Sequence, residues 1–168
     1  MMEHLHADIR QLLHNSNRIL ILSHIRPDGD AVGSMLGLGL SLLELGKDVQ
    51  MVLSDGVQRT FRHLTGAENI LHHSSGDFDA IITLDASDPR RLGDGLEGRT
   101  PDLNIDHHVT NLNFAHLNFV LPEATATAAI LAEYLPVWGL PITKPVAEAL
   151  LTGMVTDLLP DQGRAEIA

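Results

Sequence analysis

Short apolar runs alternate with longer amphipathic stretches along this chain, and the alternation predicts its secondary structure. Apolar runs typical of buried strands lie in the segments RILILSH (18–24), DVQMVL (48–53), FDAIITLD (78–85), PDLNIDHH (101–108) and AHLNFVLP (115–122). Apolar residues at helical spacing predict helices over residues 3–15, 31–46, 124–135 and 143–157, and a short helix with a turn over 55–70. Predicted strands and helices therefore alternate along most of the sequence.

Strands that are apolar throughout and separated by helices are typical of a parallel sheet that is covered on both faces. We therefore expect an α/β fold with a doubly wound, mainly parallel sheet of about five strands and helices on both faces. The 168 residues, of which 44% are hydrophobic, have the size of one domain with a real core. In such sheets ligands bind beyond the carboxyl ends of the strands, so chemistry is expected there.

Composition limits which side chains can bind a metal and which ligands the chain attracts, and it bears on where in the cell the protein is found. The chain has no cysteine, which excludes disulfides and thiolate catalysis, so any metal must be held by histidine and carboxylate groups. No apolar run reaches the roughly 18 residues of a membrane span, and the N-terminus lacks the features of a signal peptide. A cytoplasmic protein without a membrane partner is expected. The net charge of −11 disfavours a phosphate-rich ligand, unless bound divalent cations reverse the local sign.

Acidic and histidine residues follow the predicted strands at their carboxyl ends. They are His24, Asp28 and Asp30 after the first strand, Asp85 after the third, and Asp106, His107 and His108 after the fourth. Asp157 ends the last predicted helix, where the helix carbonyl groups disfavour a carboxylate, so a compensating cation is expected.

Each of these residues alone has a simpler explanation. Asp28 or Asp30 alone is explained by a helix cap, Asp85 alone by the start of a turn, and the two adjacent histidines by a structural role. Their conjunction at one sheet edge favours a metal centre. Carboxylate and imidazole ligands suit Mn²⁺, Mg²⁺, Fe²⁺ or Zn²⁺, and this set exceeds the needs of one ion. Two ions bridged by a shared carboxylate are typical of phosphatases and nucleases.

The segments SHIRPDGDAVGS, LDASDPRRLGD, NIDHH and TGMVTD resemble, in order and spacing, the four motifs of the DHH phosphoesterase superfamily. The first two are most similar to the branch of bacterial oligoribonucleases (nano-RNases) and 3′-phosphoadenosine-5′-phosphate phosphatases. The resemblance implies a hydrolase with two divalent ions, Mn²⁺ first among them, that acts on short RNA oligonucleotides or a nucleoside bisphosphate. Because relatives commonly dimerise, the resemblance also allows a homodimer.

The same resemblance implies roles for the residues at the sheet edge. The implied ligands of one ion are His24, Asp28 and Asp85. The implied ligands of the other ion are Asp30, Asp85, His107 and Asp157, so that Asp85 bridges the pair. His108 would contact or protonate the scissile phosphate, and Asp106 would orient the two histidines. Adjacent residues at a strand end point in opposite directions, which also favours different roles for His107 and His108.

The resemblance implies a further domain that the sequence does not show. Members of this branch continue into a second, substrate-binding domain, whereas the residues after Asp157 read LLPDQGRAEIA. We therefore expect a DHH domain over residues 1–159, a short tail over 160–168 and no second domain, with intact metal binding but weak or absent turnover. Two alternatives stay open: a manganese pyrophosphatase or exopolyphosphatase, and a catalytically silent module that binds metal or nucleotide.

Overall fold

The computed structural model of the chain describes residues 1–159, and the predicted tail over 160–168 lies outside the described residues. The strands are β1 (Arg18–Ser23), β2 (Asp48–Val52), β3 (Ala80–Leu84), β4 (Leu103–Asp106) and β5 (Leu117–Val120). The α-helices are α1 (Met2–Asn15), α2 (Gly29–Glu44), α3 (Thr127–Tyr134) and α4 (Lys144–Leu158). Within this part of the chain no helix is long and apolar enough to cross a bilayer.

The strands form one parallel sheet in the order β2-β1-β3-β4-β5. In the centre of the sheet Ile21 of β1 pairs with Met51 of β2 on one side and with Ile82 of β3 on the other. The chain builds the sheet in one direction from β1 to β2 and in the opposite direction from β3 to β5. The topological switch point therefore lies between the carboxyl ends of β1 and β3, where α/β sheets place their ligands.

Both faces of the sheet are buried, which explains why the strands are apolar without alternation. Ile19 and Ile21 of β1 join a core cluster that includes residues of all four α-helices. Leu20 and Leu22 join a second cluster on the opposite face, together with Leu92 of a 3₁₀-helix over Pro89–Leu92. The predicted α/β fold with a parallel sheet and helices on both faces is confirmed. The cover of the second face is a 3₁₀-helix with its adjoining turns.

Helices α2 and α4 run antiparallel in direct backbone contact. Three glycines of α2 at four-residue spacing, Gly29, Gly33 and Gly37, lie against α4. A Cβ atom on Gly33 would overlap the carbonyl oxygen of Ala149, and one on Gly29 would overlap the side chain of Thr156. Because larger residues would separate the helices, the glycines set how closely α2 and α4 approach.

Two local predictions need correction. The segment over residues 55–70 does not form a short α-helix but two 3₁₀ turns, Arg59–Phe61 and Ala67–Asn69. The second correction concerns His6: the spacing of apolar residues over 3–15 predicts that it lies on the polar face of the first helix, α1. His6 is half-buried, stacks on Tyr134 and accepts a hydrogen bond from the indole N–H of Trp138 at 3.0 Å.

Candidate metal centre

The carboxyl ends of β1, β3 and β4 bring the predicted residues together. His24 directly follows β1, Asp85 directly follows β3, and Asp106 closes β4 ahead of His107 and His108. Helix α2 adds Asp28 and Asp30 from its first turn, and α4 adds Asp157 from its last. Their ligand atoms form three groups within which all atoms lie within 4.8 Å of one another. Members of the groups are His24–Asp28–Asp85, Asp30–His107–Asp157 and Asp85–His107–His108.

The first group is built around the imidazole of His24. Its Nδ1 lies 2.7 Å from the carbonyl oxygen of Ile25, and because a carbonyl can only accept, Nδ1 carries the proton. Nε2 therefore faces the acidic side, 3.6 Å from Oδ1 of Asp28 and 3.4 Å from Oδ2 of Asp85. A backbone carbonyl that fixes the ring in this way is the usual support of a metal-binding histidine.

Asp28 has two functions in this geometry. It is the N-cap of α2, where Oδ1 accepts a hydrogen bond from the amide of Ala31 at 3.0 Å, as the capping interpretation predicts. It also faces His24. Burial alone would raise the pKa of Asp28, but the contacts with His24 and the hydrogen bond from the amide of Ala31 together outweigh burial and lower this pKa to about 2.

The carboxylates of Asp28 and Asp85 make the surroundings of His24 attractive to a positive charge. Burial would lower the pKa of His24, but hydrogen bonds to Asp28 and Asp85 outweigh burial and raise it from 6.5 to about 10. Without a metal the imidazole therefore holds a proton between two carboxylates. A divalent cation would supply positive charge to these ligand atoms in place of the proton, so the donor set fits such an ion.

The second group joins three elements of the fold. Nε2 of His107 lies 3.5 Å from Oδ2 of Asp30 and 3.5 Å from Oδ1 of Asp85, and its Nδ1 faces the carbonyl oxygen of Ala124 at 3.3 Å. Asp157 completes the group from the exposed end of α4. Burial and the charge of Asp85 raise the pKa of Asp157, even though His107 opposes them. A cation would relieve this repulsion.

Asp85 lies between the two groups. Its side chain is buried, and its backbone has a φ of 56°, in the left-handed region that aspartate tolerates better than most residues. Its Oδ2 faces His24 while its Oδ1 faces His107. One carboxylate thus presents an oxygen to each group, which is the geometry that a bridging ligand needs.

Asp30 is buried and is held by the start of α3, an arrangement that the sequence interpretation missed. The backbone amides of Thr127 and Ala128 donate to its two oxygens at 2.9 Å each. The hydroxyl of Thr127 donates to Oδ1 of Asp85 at 3.0 Å. Burial and the charge of Asp85 still raise the pKa of Asp30. The available signal was the threonine at the start of a helix that follows the fifth strand.

His108 belongs to the third group, and it is also paired with Asp106, which lies outside the three groups. Oδ1 of Asp106 accepts from Nδ1 of His108 at 2.7 Å, and its Oδ2 accepts from the amide group of Asn111 at 2.6 Å. The hydrogen bond to Asp106 raises the pKa of His108. Burial would raise the pKa of Asp106, but its bonds to His108 and Asn111 outweigh burial and lower it. Asn111 was not predicted, and no spacing rule marks it.

The two adjacent histidines do not point in opposite directions. Their ring centroids are 4.5 Å apart, and both rings reach toward Oδ1 of Asp85, His107 at 3.5 Å and His108 at 3.9 Å. Strand β4 ends at Asp106, so the alternation of strand side chains does not extend to them. Their roles are separated instead by their Nδ1 partners, Ala124 for His107 and Asp106 for His108.

A cleft of about 870 Å³ opens over these residues. Its walls include His24, Asp28, Asp30 and Asp157, and they continue to residues outside the predicted set, such as Phe61. The cleft is larger than a pair of ions requires, so it has room for an organic ligand beside them.

Several known proteins with similar sequences have the names of phosphate-cleaving enzymes. The chain is 37% identical over 142 residues to the bifunctional oligoribonuclease and PAP phosphatase NrnA of Thermus thermophilus, a match that covers 83% of this chain and 43% of NrnA. It is 28% identical over 162 residues to a probable manganese-dependent inorganic pyrophosphatase of Lactococcus lactis, covering 86% of this chain and 49% of that protein. The chain thus spans about half the length of these relatives.

The structure also matches that of an exopolyphosphatase-related protein from Bacteroides fragilis. The TM-score is 0.86 at 26% sequence identity, over 92% of this chain and 50% of the other. Residues 18–154 match the family model described as DHH family, N-terminal domain. Because this match spans most of the sequence, the chain belongs to the DHH family, and residues 18–154 correspond to the N-terminal domain of that family.

Proposed function

We propose that this chain is a metal-dependent phosphoesterase that uses two divalent ions, with Mn²⁺ as the preferred metal. The observation that carries the proposal is the position of Asp85, whose two oxygens face two separate ligand groups. His24 and Asp28 would complete the site of one ion. Asp30, His107 and Asp157 would complete the site of the other. The mixture of carboxylate and imidazole ligands without sulfur supports manganese over softer metals.

When bound, such a pair of ions neutralises phosphate oxygens and activates a water for attack. The residues of the chain supply orientation and a proton. Asp106 holds Nδ1 of His108, so Nε2 is left to face a substrate oxygen. Asp106 also raises the pKa of His108, which favours the protonated imidazole that donates to the scissile phosphate or its leaving group.

We further propose short oligoribonucleotides and nucleoside bisphosphates as substrates. The support is the 37% identity to an oligoribonuclease and PAP phosphatase, together with the segments around Asp28 and Asp85. Binding energy from remote parts of a substrate normally orients its reacting group. Because the chain spans 43% of that relative, turnover by these 168 residues is expected to be slow, while metal binding should be intact.

The test is hydrolysis of a two-nucleotide RNA with Mn²⁺ by the parent and by the variants Asp85→Ala and Asp30→Ala. Both variants should lose measurable turnover and bind less Mn²⁺ in equilibrium dialysis. Asp8→Ala, which removes one exposed carboxylate from α1, should behave like the parent. The proposal fails if the parent binds no divalent ion, or if Asp85→Ala and Asp30→Ala bind Mn²⁺ as tightly as the parent.

A pyrophosphatase or exopolyphosphatase is the second candidate. It is favoured by the TM-score of 0.86 to an exopolyphosphatase-related protein and by the similarity to a probable pyrophosphatase. A side-by-side assay with pyrophosphate, polyphosphate and the dinucleotide at equal concentration distinguishes the two. If all three stay intact under saturating Mn²⁺ while the metal binds, the chain is a silent binding module.

A further inference from the structure

Two arginines line the acidic cleft and have no role in the metal groups. Arg26 lies in the loop between β1 and α2, and Arg91 lies in the 3₁₀-helix over Pro89–Leu92. Both side chains are exposed. The amide of Ile25, next to Arg26, donates to the carbonyl oxygen of Arg91 at 2.7 Å. The backbone segments that carry the two arginines are therefore neighbours, and both residues line the cleft.

Neither guanidinium has a carboxylate partner within residues 1–159. The contrast with nearby arginines is clear, because Arg90 is paired with Asp88 and Arg99 with Glu97. Carboxylates are abundant in a chain with a net charge of −11, yet the guanidinium groups of these two arginines line the cleft without such a partner among residues 1–159. Unpaired cations beside a phosphoesterase site suit an anionic group of the substrate.

The backbone at Arg26 supports the same conclusion. Its φ of 52° lies in the left-handed region, which strains any residue with a Cβ atom but not glycine. The conformation is held from outside, since the amide of Arg26 donates to Asp55 at 2.7 Å and Gln58 donates to the carbonyl of Pro27 at 2.8 Å. Strained residues that their surroundings hold in place are typical of binding sites.

We propose that Arg26 and Arg91 bind a second phosphate group of the substrate, one that is not cleaved. This inference rests on the proposed phosphoesterase function. The ligand class is a nucleotide with two separate phosphates, such as a nucleoside 3′,5′-bisphosphate or a 5′-phosphorylated dinucleotide. The planar, forked donors of arginine match the oxygens of a phosphate group better than a point charge does.

The test compares the binding of adenosine 3′,5′-bisphosphate with that of adenosine 5′-monophosphate. Both are titrated calorimetrically in the cold with Mn²⁺, and chromatography checks that the ligand is intact. Arg26→Ala and Arg91→Ala should each weaken bisphosphate binding about 10- to 100-fold, with a change in monophosphate binding below about 3-fold. Arg90→Ala removes the same charge from a neighbouring position that is already paired, so both affinities should stay at the parental level.

A glycine variant separates binding from folding. Arg26→Gly removes the guanidinium and relieves the strained backbone, so its Tm should equal or exceed the parental value while bisphosphate binding falls as in Arg26→Ala. A purely structural role would lower both. The proposal is overturned if the parent does not prefer the bisphosphate, if the arginine variants weaken both ligands equally, or if Arg90→Ala has the same effect.

The two proposals can fail separately. Selective loss of bisphosphate binding in a protein that never hydrolyses the dinucleotide supports the arginine site and contradicts the phosphoesterase function. Hydrolysis of the dinucleotide, combined with unchanged bisphosphate binding in Arg26→Ala and Arg91→Ala, supports the phosphoesterase and contradicts the arginine site.

Discussion

The substitution Gly33→Ala tests whether the α2–α4 contact positions the metal ligands. A Cβ atom on Gly33 would lie 2.8 Å from the backbone nitrogen and 2.9 Å from the Cα of Gly153, and closer still to the carbonyl oxygen of Ala149. All of these are backbone atoms, so no side-chain rotation relieves the overlap. The helices must move apart, and overpacking of this kind costs about 1–3 kcal/mol or somewhat more.

The net effect on stability follows from two opposing contributions. Alanine is better than glycine in a helix interior by about 0.5–1 kcal/mol, which offsets part of the steric cost. Because the three nearest atoms at Gly33 are all backbone atoms of α4, we take the upper end of that cost and expect a net loss of about 2 kcal/mol. For a domain of this size 1 kcal/mol corresponds to about 2–4 °C, so Tm should fall by about 4–8 °C.

The separation of α2 and α4 in Gly33→Ala should also change the geometry of the metal site. Helix α2 carries Asp30 and α4 carries Asp157, and both contribute to one ligand group. Separation of the helices should therefore weaken Mn²⁺ binding by about tenfold, within the range typical of lost ligand support. Thermal unfolding measured by circular dichroism and Mn²⁺ titration by calorimetry check the two effects.

Gly39→Ala is the matched control in the same helix. A Cβ atom there would meet the sulfur of Met51, at the flexible end of a side chain that can move aside. The Tm of this variant should stay within about 3 °C of the parent, because the gain in helix propensity balances the small repacking cost. The reasoning is refuted if Gly33→Ala unfolds at the parental temperature and binds Mn²⁺ with the parental affinity.

Three further predictions concern the buried polar groups. Without metal, the free energy of unfolding and therefore Tm should fall as pH rises from about 5 to 9. The reason is that the pKa values of Asp30 and His24 are raised, so the native state holds protons that the unfolded state releases. With Mn²⁺ bound, Tm should depend less on pH. A Tm of the metal-free protein that does not change with pH would contradict this prediction. Thr127→Val removes the hydroxyl bond to Asp85 and should weaken Mn²⁺ binding about tenfold in calorimetry, whereas Thr127→Ser should restore it. Trp138→Phe removes the indole N–H bond to His6 and should cost about 1 kcal/mol in urea unfolding; an unchanged midpoint would show that the bond contributes nothing.

The rule for strand ends predicts the part of the site that follows strands. His24 and Asp85 directly follow β1 and β3, so the rule that parallel strands end at one edge is enough to bring them together. Asp157 is a different case, since it comes from a helix. Its approach to Asp30 depends on the glycines of α2 lying against α4, and their spacing alone does not indicate which helix they contact.

The residues that sequence reasoning missed act across long separations in the chain. Thr127 bonds to Asp30 and Asp85 over separations of 97 and 42 residues, and Trp138 bonds to His6 over 132 residues. Periodicity reports which face of an element is buried, but it carries no information about the distant partner of a polar group. For the same reason His6 reads as a surface position, although its ring is half-buried beside Trp138.

Burial of Asp30 and Asp85 links the stability of this domain to its chemistry. Two carboxylates taken out of water beside each other are costly, and the amides and hydroxyl at the start of α3 offset only part of that cost, since the pKa of Asp30 stays raised. The rest of the cost of burying the carboxylates must be compensated by a positive charge, which is a proton when no metal is present. An ion that displaces the proton interacts favourably with carboxylates whose burial is otherwise unfavourable. Tight metal binding and a less stable metal-free fold therefore have the same cause. Exposing Asp85 by mutation of its neighbours would therefore stabilise the metal-free protein and weaken its hold on the ions.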